Sequence, residues 1–201
     1  MFALIGAHRS GKSTLARLTA EKMGIHFHIS NASAVMREKG INMVADMSAE
    51  ERLMAQNILL DIYLEQLGAA PRPAITDRSP LDMAAYMMAE VGMHSGEPEF
   101  GEAVKSYVER CLAATEEHFD SLVLVNPLPV YAIEDGKPPV NAGYQWHIHF
   151  LIEGLSSSLA KGCKLYRISE MDLEKRVKGL TETLTARLAA YRQQMGVFSR
   201  H

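Results

Sequence analysis

An α/β fold, with a five-stranded, mostly parallel sheet, helices on both faces and a small lid, is predicted by three observations. Residues 6 to 13 read Gly6-Ala7-His8-Arg9-Ser10-Gly11-Lys12-Ser13, the G-x-x-x-x-G-K-[ST] pattern of a phosphate-binding loop. Apolar runs alternate with amphipathic stretches, as parallel strands joined by crossover helices require. Residues 130 to 145 are rich in Gly, Pro, Asn and Asp and lack periodicity, which suits a loop or lid.

The elements follow in order. Phe2-Ala3-Leu4-Ile5 is a buried strand that delivers the chain to the glycine-rich loop, and Thr14-Leu15-Ala16-Arg17-Leu18 opens a helix that ends near Met23-Gly24. Ile25-His26-Phe27-His28-Ile29 alternates like a strand, and Ser30-Asn31 supplies caps for a short helix to Gly40. Ser48-Ala49-Glu50-Glu51 is a capping box that starts a helix to about Leu67, where Gly68 and Pro71 break it. Pro73-Ala74-Ile75-Thr76-Asp77 reads as a third strand ending in a carboxylate. Ser79-Pro80-Leu81-Asp82 begins a helix that reaches about Val91. A helix between about Glu102 and His118 precedes the β-branched strand Ser121-Leu122-Val123-Leu124-Val125, which Asn126-Pro127-Leu128-Pro129 ends. Lys164-Leu165-Tyr166-Arg167-Ile168 is the last strand. Leu173, Val177, Leu180, Leu184, Leu188, Tyr191 and Met195 then mark one face of a long final helix. The sum is a P-loop NTPase three-layer sandwich, read as one domain over residues 1–201 with 130–145 as the candidate lid; ligands in such sheets bind beyond the carboxyl ends of the strands.

A chain of 201 residues that is 47% hydrophobic and 22% charged can bury one good core. No run approaches eighteen apolar residues, and Met1 leads straight into the first strand, so the expectation is a cytoplasmic protein with neither membrane span nor signal peptide. Cys111 and Cys163 lack metal-ligand spacing and read as packing residues. The net charge of −3 is unevenly spread: residues 161 to 201 hold nine Lys/Arg against four Asp/Glu. That basic third suits either a solvated helix face or a surface for polyphosphate or nucleic acid.

The loop carries the first layer of chemistry. Gly6 and Gly11 have no Cβ to block backbone approach to phosphate, and Ala7, His8, Arg9, Ser10 and Thr14 complete the cradle for ATP. Lys12 would reach the β- and γ-phosphates and the Ser13 hydroxyl would ligate Mg²⁺. That metal also needs a carboxylate from a neighbouring strand end, and Asp77 closes the only apolar strand that ends in an acid. Its competing role, capping the next helix, already belongs to Ser79.

At Asp77-Arg78-Ser79 the chain resembles P-loop nucleoside and nucleotide kinases, particularly the thymidylate-kinase group, in which a D/E-R pair ends the third strand. The resemblance implies that Asp77 helps with the metal or accepts the proton of a substrate hydroxyl, and that Arg78 holds an acceptor phosphate. Arg9 extends it, because one class of these kinases has a loop of the form G-x-x-R-x-G-K-S and a lid without a catalytic arginine. Residues 126 to 145 contain no arginine and one lysine, Lys137, so Arg9 would stabilise charge on the transferred phosphoryl. His8 departs from that class, which commonly has an acid there. Asp135-Gly136-Lys137 and the run from Asp77 to Ala84 also resemble phage-encoded kinases that phosphorylate 5-hydroxymethyldeoxyuridine within DNA, a role that would place the chain in a host cytoplasm.

For the acceptor, Arg37 and Arg52 are candidate phosphate ligands, Gln56 a reader of a pyrimidine edge, Lys137 a further contact and Tyr86 a stacking surface. Surface solvation suits Arg37, Arg52 and Gln56 at least as well, and a place in the core suits Tyr86 better than stacking on a base. His147-Ile148-His149 invites a metal reading, but on a helix the two imidazoles point apart and no acid or Cys completes the set. The leading expectation is an ATP- and Mg²⁺-dependent kinase for a pyrimidine deoxynucleoside or deoxynucleotide, free or within DNA. The rivals are an ATPase or switch without an acceptor, against which the chain offers no N-K-x-D motif, and a noncatalytic scaffold. A homodimer is left open.

Overall fold

The sheet grows outward from β1 (Phe2–Ile5), which pairs in parallel with β3 (Ala74–Thr76) on one side and β4 (Ser121–Val125) on the other. The edges are β2 (His26–His28), beside β3, and β5 (Lys164–Ile168), beside β4, so the order is β2-β3-β1-β4-β5 and every pairing is parallel. The computed structural model describes residues 1–42, 45–91, 97–129, 141–159 and 162–198, with backbone alone at 33 and 194–198.

Alternation within the central strands assigns the two faces. Ala3, Ile5, Leu122 and Leu124 enter one core with residues of α2 (Ala32–Glu38), α3 (Ala49–Ala69), α4 (Pro80–Val91), α5 (Pro98–His118) and α6 (Ala142–Ser156). Phe2, Leu4, Val123 and Val125 enter a second core with α1 (Lys12–Met23) and α7 (Leu173–Phe198). The central strands are therefore apolar on both faces, which is why they read as continuous runs. The result is the α/β sandwich expected from the sequence, with a fully parallel sheet. Among the described residues no helix is long and apolar enough to cross a membrane.

Local signals set most boundaries. The Ser48 hydroxyl accepts from the Glu51 N–H and the Glu51 carboxylate accepts from the Ser48 N–H, so α3 starts on a complete capping box. Gly24, at φ 63°, ends α1 in the left-handed conformation.

Several expectations need correction. Gly68 does not stop α3, which runs one residue further to Ala69 because packing outweighs the modest helical cost of one glycine. The second strand is only His26–His28, and Ile29, 71% exposed, lies beyond it. α5 begins at Pro98, with proline in the first turn where a missing N–H costs nothing. The candidate lid ends too late in the sequence reading: Ala142 to Gln145 are the first turn of α6, capped by the Asn141 side-chain Oδ1 accepting from the Tyr144 N–H at 3.0 Å. Residues 130–140, with Lys137, lie outside the described residues. On α7 the middle of the apolar face, Val177, Leu180 and Leu184, is buried, but Leu173 and Tyr191 are 43% and 47% exposed. α1 offers 12 residues to the 26 of α7, so the longer helix overhangs its partner.

The loop between β1 and α1 is held hard against β4. A Cβ built on Gly6, whose φ is 140°, would lie 2.6 Å from the Val125 carbonyl oxygen. Gly6→Ala is expected to lower unfolding free energy by about 2–3 kcal/mol in urea titrations, since both the backbone conformation and the contact must be given up; an unchanged midpoint would show that β4 yields freely.

Candidate functional site

The residues that the sequence marks converge at the carboxyl ends of β1 and β3. From Gly6 the chain passes through Arg9, the one non-glycine among the described residues with left-handed φ, at 57°, and through Gly11 at φ 81°. Left-handed backbone of this kind just before a helix N-terminus is what a phosphate-binding loop uses to bring N–H groups to bear on an anion. Ser10 is buried and its hydroxyl donates to the Ala7 carbonyl at 2.9 Å, bracing the turn.

Lys12 turns back over the loop. Its ammonium donates to the Gly6 and Ala7 carbonyls, both at 2.7 Å. Burial, countered in part by the negative charge of Asp82, brings it down to about 8. Next along the helix, the Ser13 hydroxyl donates to Oδ2 of Asp77, although the two residues are 64 positions apart. A hydroxyl and a carboxylate in contact at a helix N-terminus form a hard-oxygen pair of the kind Mg²⁺ takes when phosphates and water complete its shell. Arg78 is exposed beside Asp77, and its carbonyl is held by the Tyr63 hydroxyl at 2.6 Å.

Three residues that the sequence reading did not mark as functional organise this site. Asp82, 2% exposed, accepts from the Gly6 N–H through Oδ1 at 3.1 Å, and from both the N–H and the hydroxyl of Ser79 through Oδ2 at 2.9 Å. Its burial pushes the carboxyl above the usual carboxylate range, against the opposing effect of Lys12. The signal was present as the spacing Ser79-x-x-Asp82, but it reads locally as a helix cap. In the structure the Ser79 hydroxyl donates to Asp82 instead of accepting a helix N–H, so the expected cap by Ser79 is replaced by this contact. Arg176 on α7, 3% exposed, donates to the carbonyls of Glu170 at 2.5 Å, Ser10 at 3.2 Å and Asn126 at 3.3 Å. No local pattern reveals a partner 166 residues away. Gln145, buried on α6, donates to the His8 carbonyl at 2.9 Å.

Tyr86 and His8 meet directly. The His8 N–H donates to the Tyr86 hydroxyl at 3.0 Å, and the His8 ring lies among Tyr86 and Tyr144 at centroid distances of 6.5 and 5.6 Å. Burial, then the charges of Lys12 and Arg9, hold the His8 imidazole below its ordinary value. The remaining acceptor candidates are more scattered. Arg52 bridges α3 and α4, with Nε 2.6 Å from a Glu90 carboxylate oxygen and Nη2 donating to the Ala45 carbonyl at 3.1 Å. Gln56 is buried at 7% exposure and accepts from the Tyr107 hydroxyl at 3.4 Å, inside the packing of α3 against α5. Arg37 is exposed near the end of α2, and Thr14 is exposed on the first turn of α1.

The basic C-terminal third fits neither of its two expected roles throughout. Arg176 is spent on backbone carbonyls of the loop, and Arg187 grips Asp120 through Nε at 2.8 Å and Nη2 at 2.5 Å. His147 is exposed while His149 is buried, and among the described residues no group of three or more His, Cys, Asp or Glu is placed to hold a metal. Both cysteines are free, and burial raises their thiols to about 12 for Cys111 and about 11 for Cys163.

The family model of an AAA domain, AAA_28, matches residues 1–176, which includes the loop, Asp77, Asp82 and Arg176. The chain belongs to this family of AAA domains. No curated protein sequence matches this AAA domain significantly. Solved structures share its fold at low identity. A deoxyadenosine kinase from M. mycoides with bound dCTP is 13% identical with a TM-score of 0.65, covering 92% of this chain and 98% of that one. The same kinase with bound dATP gives 13% and 0.66 over the same shares. Thymidylate kinase from Ehrlichia chaffeensis is 11% identical with a TM-score of 0.57, covering 92% and 97%.

The lowered Lys12 ammonium has a consequence for stability. Between about pH 8 and the ordinary lysine value of 10.5 the unfolded chain binds the proton more readily than the folded one, so this group's contribution rises with pH across that window. Lys12→Met is therefore expected to be more stable than the parent protein in urea at pH 7 without added nucleotide, with the gap narrowing by pH 10. A constant gap would show that the ammonium is not disfavoured by folding.

Proposed function

We propose that this AAA domain is an ATP- and Mg²⁺-dependent phosphotransferase whose acceptor is a pyrimidine deoxynucleoside or deoxynucleotide. The observation that carries the reading is the contact between the Ser13 hydroxyl and the Asp77 carboxylate, with Lys12 above the same loop and Arg78 beside it. A glycine-rich loop alone suits any NTPase. The addition of an exposed arginine next to the metal-side carboxylate supports a second, anionic substrate.

In this reading the loop N–H groups from Arg9 to Thr14 bind the triphosphate, those of Gly6 and His8 being held by Asp82 and Tyr86, and Lys12 exchanges its two carbonyl partners for the β- and γ-phosphate oxygens. Mg²⁺, held by Ser13 and Asp77, would neutralise charge on those oxygens. Arg9 meets the equatorial oxygens of the phosphoryl in flight. Arg78 orients the acceptor phosphate, and Asp77 takes the proton when the attacking group is a hydroxyl. The bond from the γ-phosphorus to the bridging oxygen breaks as the bond to the acceptor oxygen forms, so positioning and charge neutralisation do most of the work. The residues 1–201 act as one kinase domain in this proposal. The deoxyadenosine kinase and thymidylate kinase folds support it as architecture, and the acceptor assignment rests on Asp77 and Arg78.

The test is transfer of radiolabelled γ-phosphate from ATP to a panel of nucleosides, monophosphates and duplex DNA with or without 5-hydroxymethyluracil. Label on a free nucleoside or monophosphate is expected; label on modified DNA alone would move the substrate into the polymer, and ATP hydrolysis indifferent to every acceptor would make the protein an ATPase. Lys12→Ala is expected to abolish transfer. Asp77→Asn should keep ATP affinity within a few-fold and cut turnover by about 100-fold or more, and full transfer by either variant would sink the assignment.

A further inference from the structure

One buried titratable side chain beside this site has no part in the scheme above. His28 is the last residue of β2, and its parallel register places it opposite Thr76, the residue before Asp77. It is 8% exposed. Its ring lies 6.3 Å, centroid to centroid, from Tyr63, whose hydroxyl holds the Arg78 carbonyl at 2.6 Å and stands 3.5 Å from the Thr76 hydroxyl. His28 thus shares one small cluster with the backbone that carries the Asp77-Arg78 pair.

Within that cluster the Nε2 atom of His28 is buried and has no hydrogen-bond partner among the described residues. A buried ring nitrogen left unpaired is costly, and packing alone would be served better by an apolar side chain of similar size. Such an atom at the carboxyl edge of a parallel sheet, next to the residues assigned to the acceptor, is explained by a group that arrives with the substrate.

We infer that His28 is an acceptor-binding residue, its Nε2 forming a hydrogen bond with a hydroxyl group of the phosphoryl acceptor. This rests on the phosphotransferase reading and deepens it by naming a contact on the sugar or base side of the acceptor. The surroundings fit a neutral ring: burial, and then the neighbouring His26, hold its affinity for a second proton below the ordinary value, while the Asp77 charge acts in the opposite direction. A neutral imidazole offers one donor and one acceptor nitrogen, and a hydroxyl can complement either. His28 is a binding and positioning group here, and Asp77 keeps the proton-accepting role.

Two measurements test the inference. In wild-type protein labelled with ¹⁵N-histidine, the His28 Nε2 resonance, assigned by its loss in His28→Gln, is expected to shift on adding the deoxynucleoside or monophosphate that accepts label, and to stay in place with a nonhydrolysable ATP analogue alone. Kinetically, His28→Phe is expected to raise acceptor KM by about 10-fold while ATP affinity and melting temperature stay near the parent values, with His28→Gln recovering part of the loss. A folded His28→Phe with unchanged acceptor KM, or an Nε2 resonance that ignores the acceptor, overturns the inference and leaves the kinase reading standing. If His28→Phe does not fold, the resonance decides alone. Wild-type protein that labels no acceptor overturns the kinase reading and this inference with it.

Discussion

One buried carboxylate, Asp82, ties the glycine-rich loop to the segment that carries Asp77 and Arg78. It takes the Gly6 N–H on one oxygen and the Ser79 N–H and hydroxyl on the other, so the two halves of the site share a single rigid bracket. On its other side Gly6 is pressed against the Val125 carbonyl with no room for a Cβ. The start of the loop is therefore fixed from α4 and from β4 at once. Its far side is fixed from α6, through Gln145, and from α7, through Arg176. Elements from both helical layers converge on eight residues of backbone, and the loop's shape is a property of the whole sandwich.

That bracket has an electrostatic cost. Burial disfavours the charged form of both Asp82 and Lys12, and each charge partly offsets the penalty on the other. Lys12 satisfies itself on the Gly6 and Ala7 carbonyls, partners that a phosphate oxygen with full negative charge would outbid. A residue held in a costly environment with replaceable partners is expected at a binding site and is poor design for stability alone. The left-handed Arg9 belongs to the same account, since its backbone conformation serves the loop's concavity.

The solved kinases that share this fold establish an architecture, and a fold of this kind hosts many chemistries. What separates an NTPase from a phosphotransferase on such a scaffold is the side chemistry at the end of β3. Here that is an acid in contact with the loop serine, an exposed arginine, and a buried histidine one strand away. The basic residues near the C-terminus turn inward at the points where they matter most, as Arg176 and Arg187 bind carbonyls and a carboxylate of the domain itself.

The sequence by itself determined the strands, the loop and its acid. Those features are written in local patterns: apolar runs of strand length, a capping box at Ser48, and a motif of fixed spacing followed by a helix. Even the misread element, α6, failed locally, because Asn141 and Gly143 read equally well as loop residues and as a helix start. Only the tertiary structure decided which distant groups complete the site. Arg176, Gln145 and His28 carry no sequence signature, since a buried polar side chain is defined by partners, or by the lack of one, that chain folding brings from elsewhere. Asp82 lies between the two cases. Its spacing to Ser79 was visible, yet its bond to Gly6 depends on β1 and β3 lying side by side, a juxtaposition set by long-range strand pairing and by no local preference of the chain.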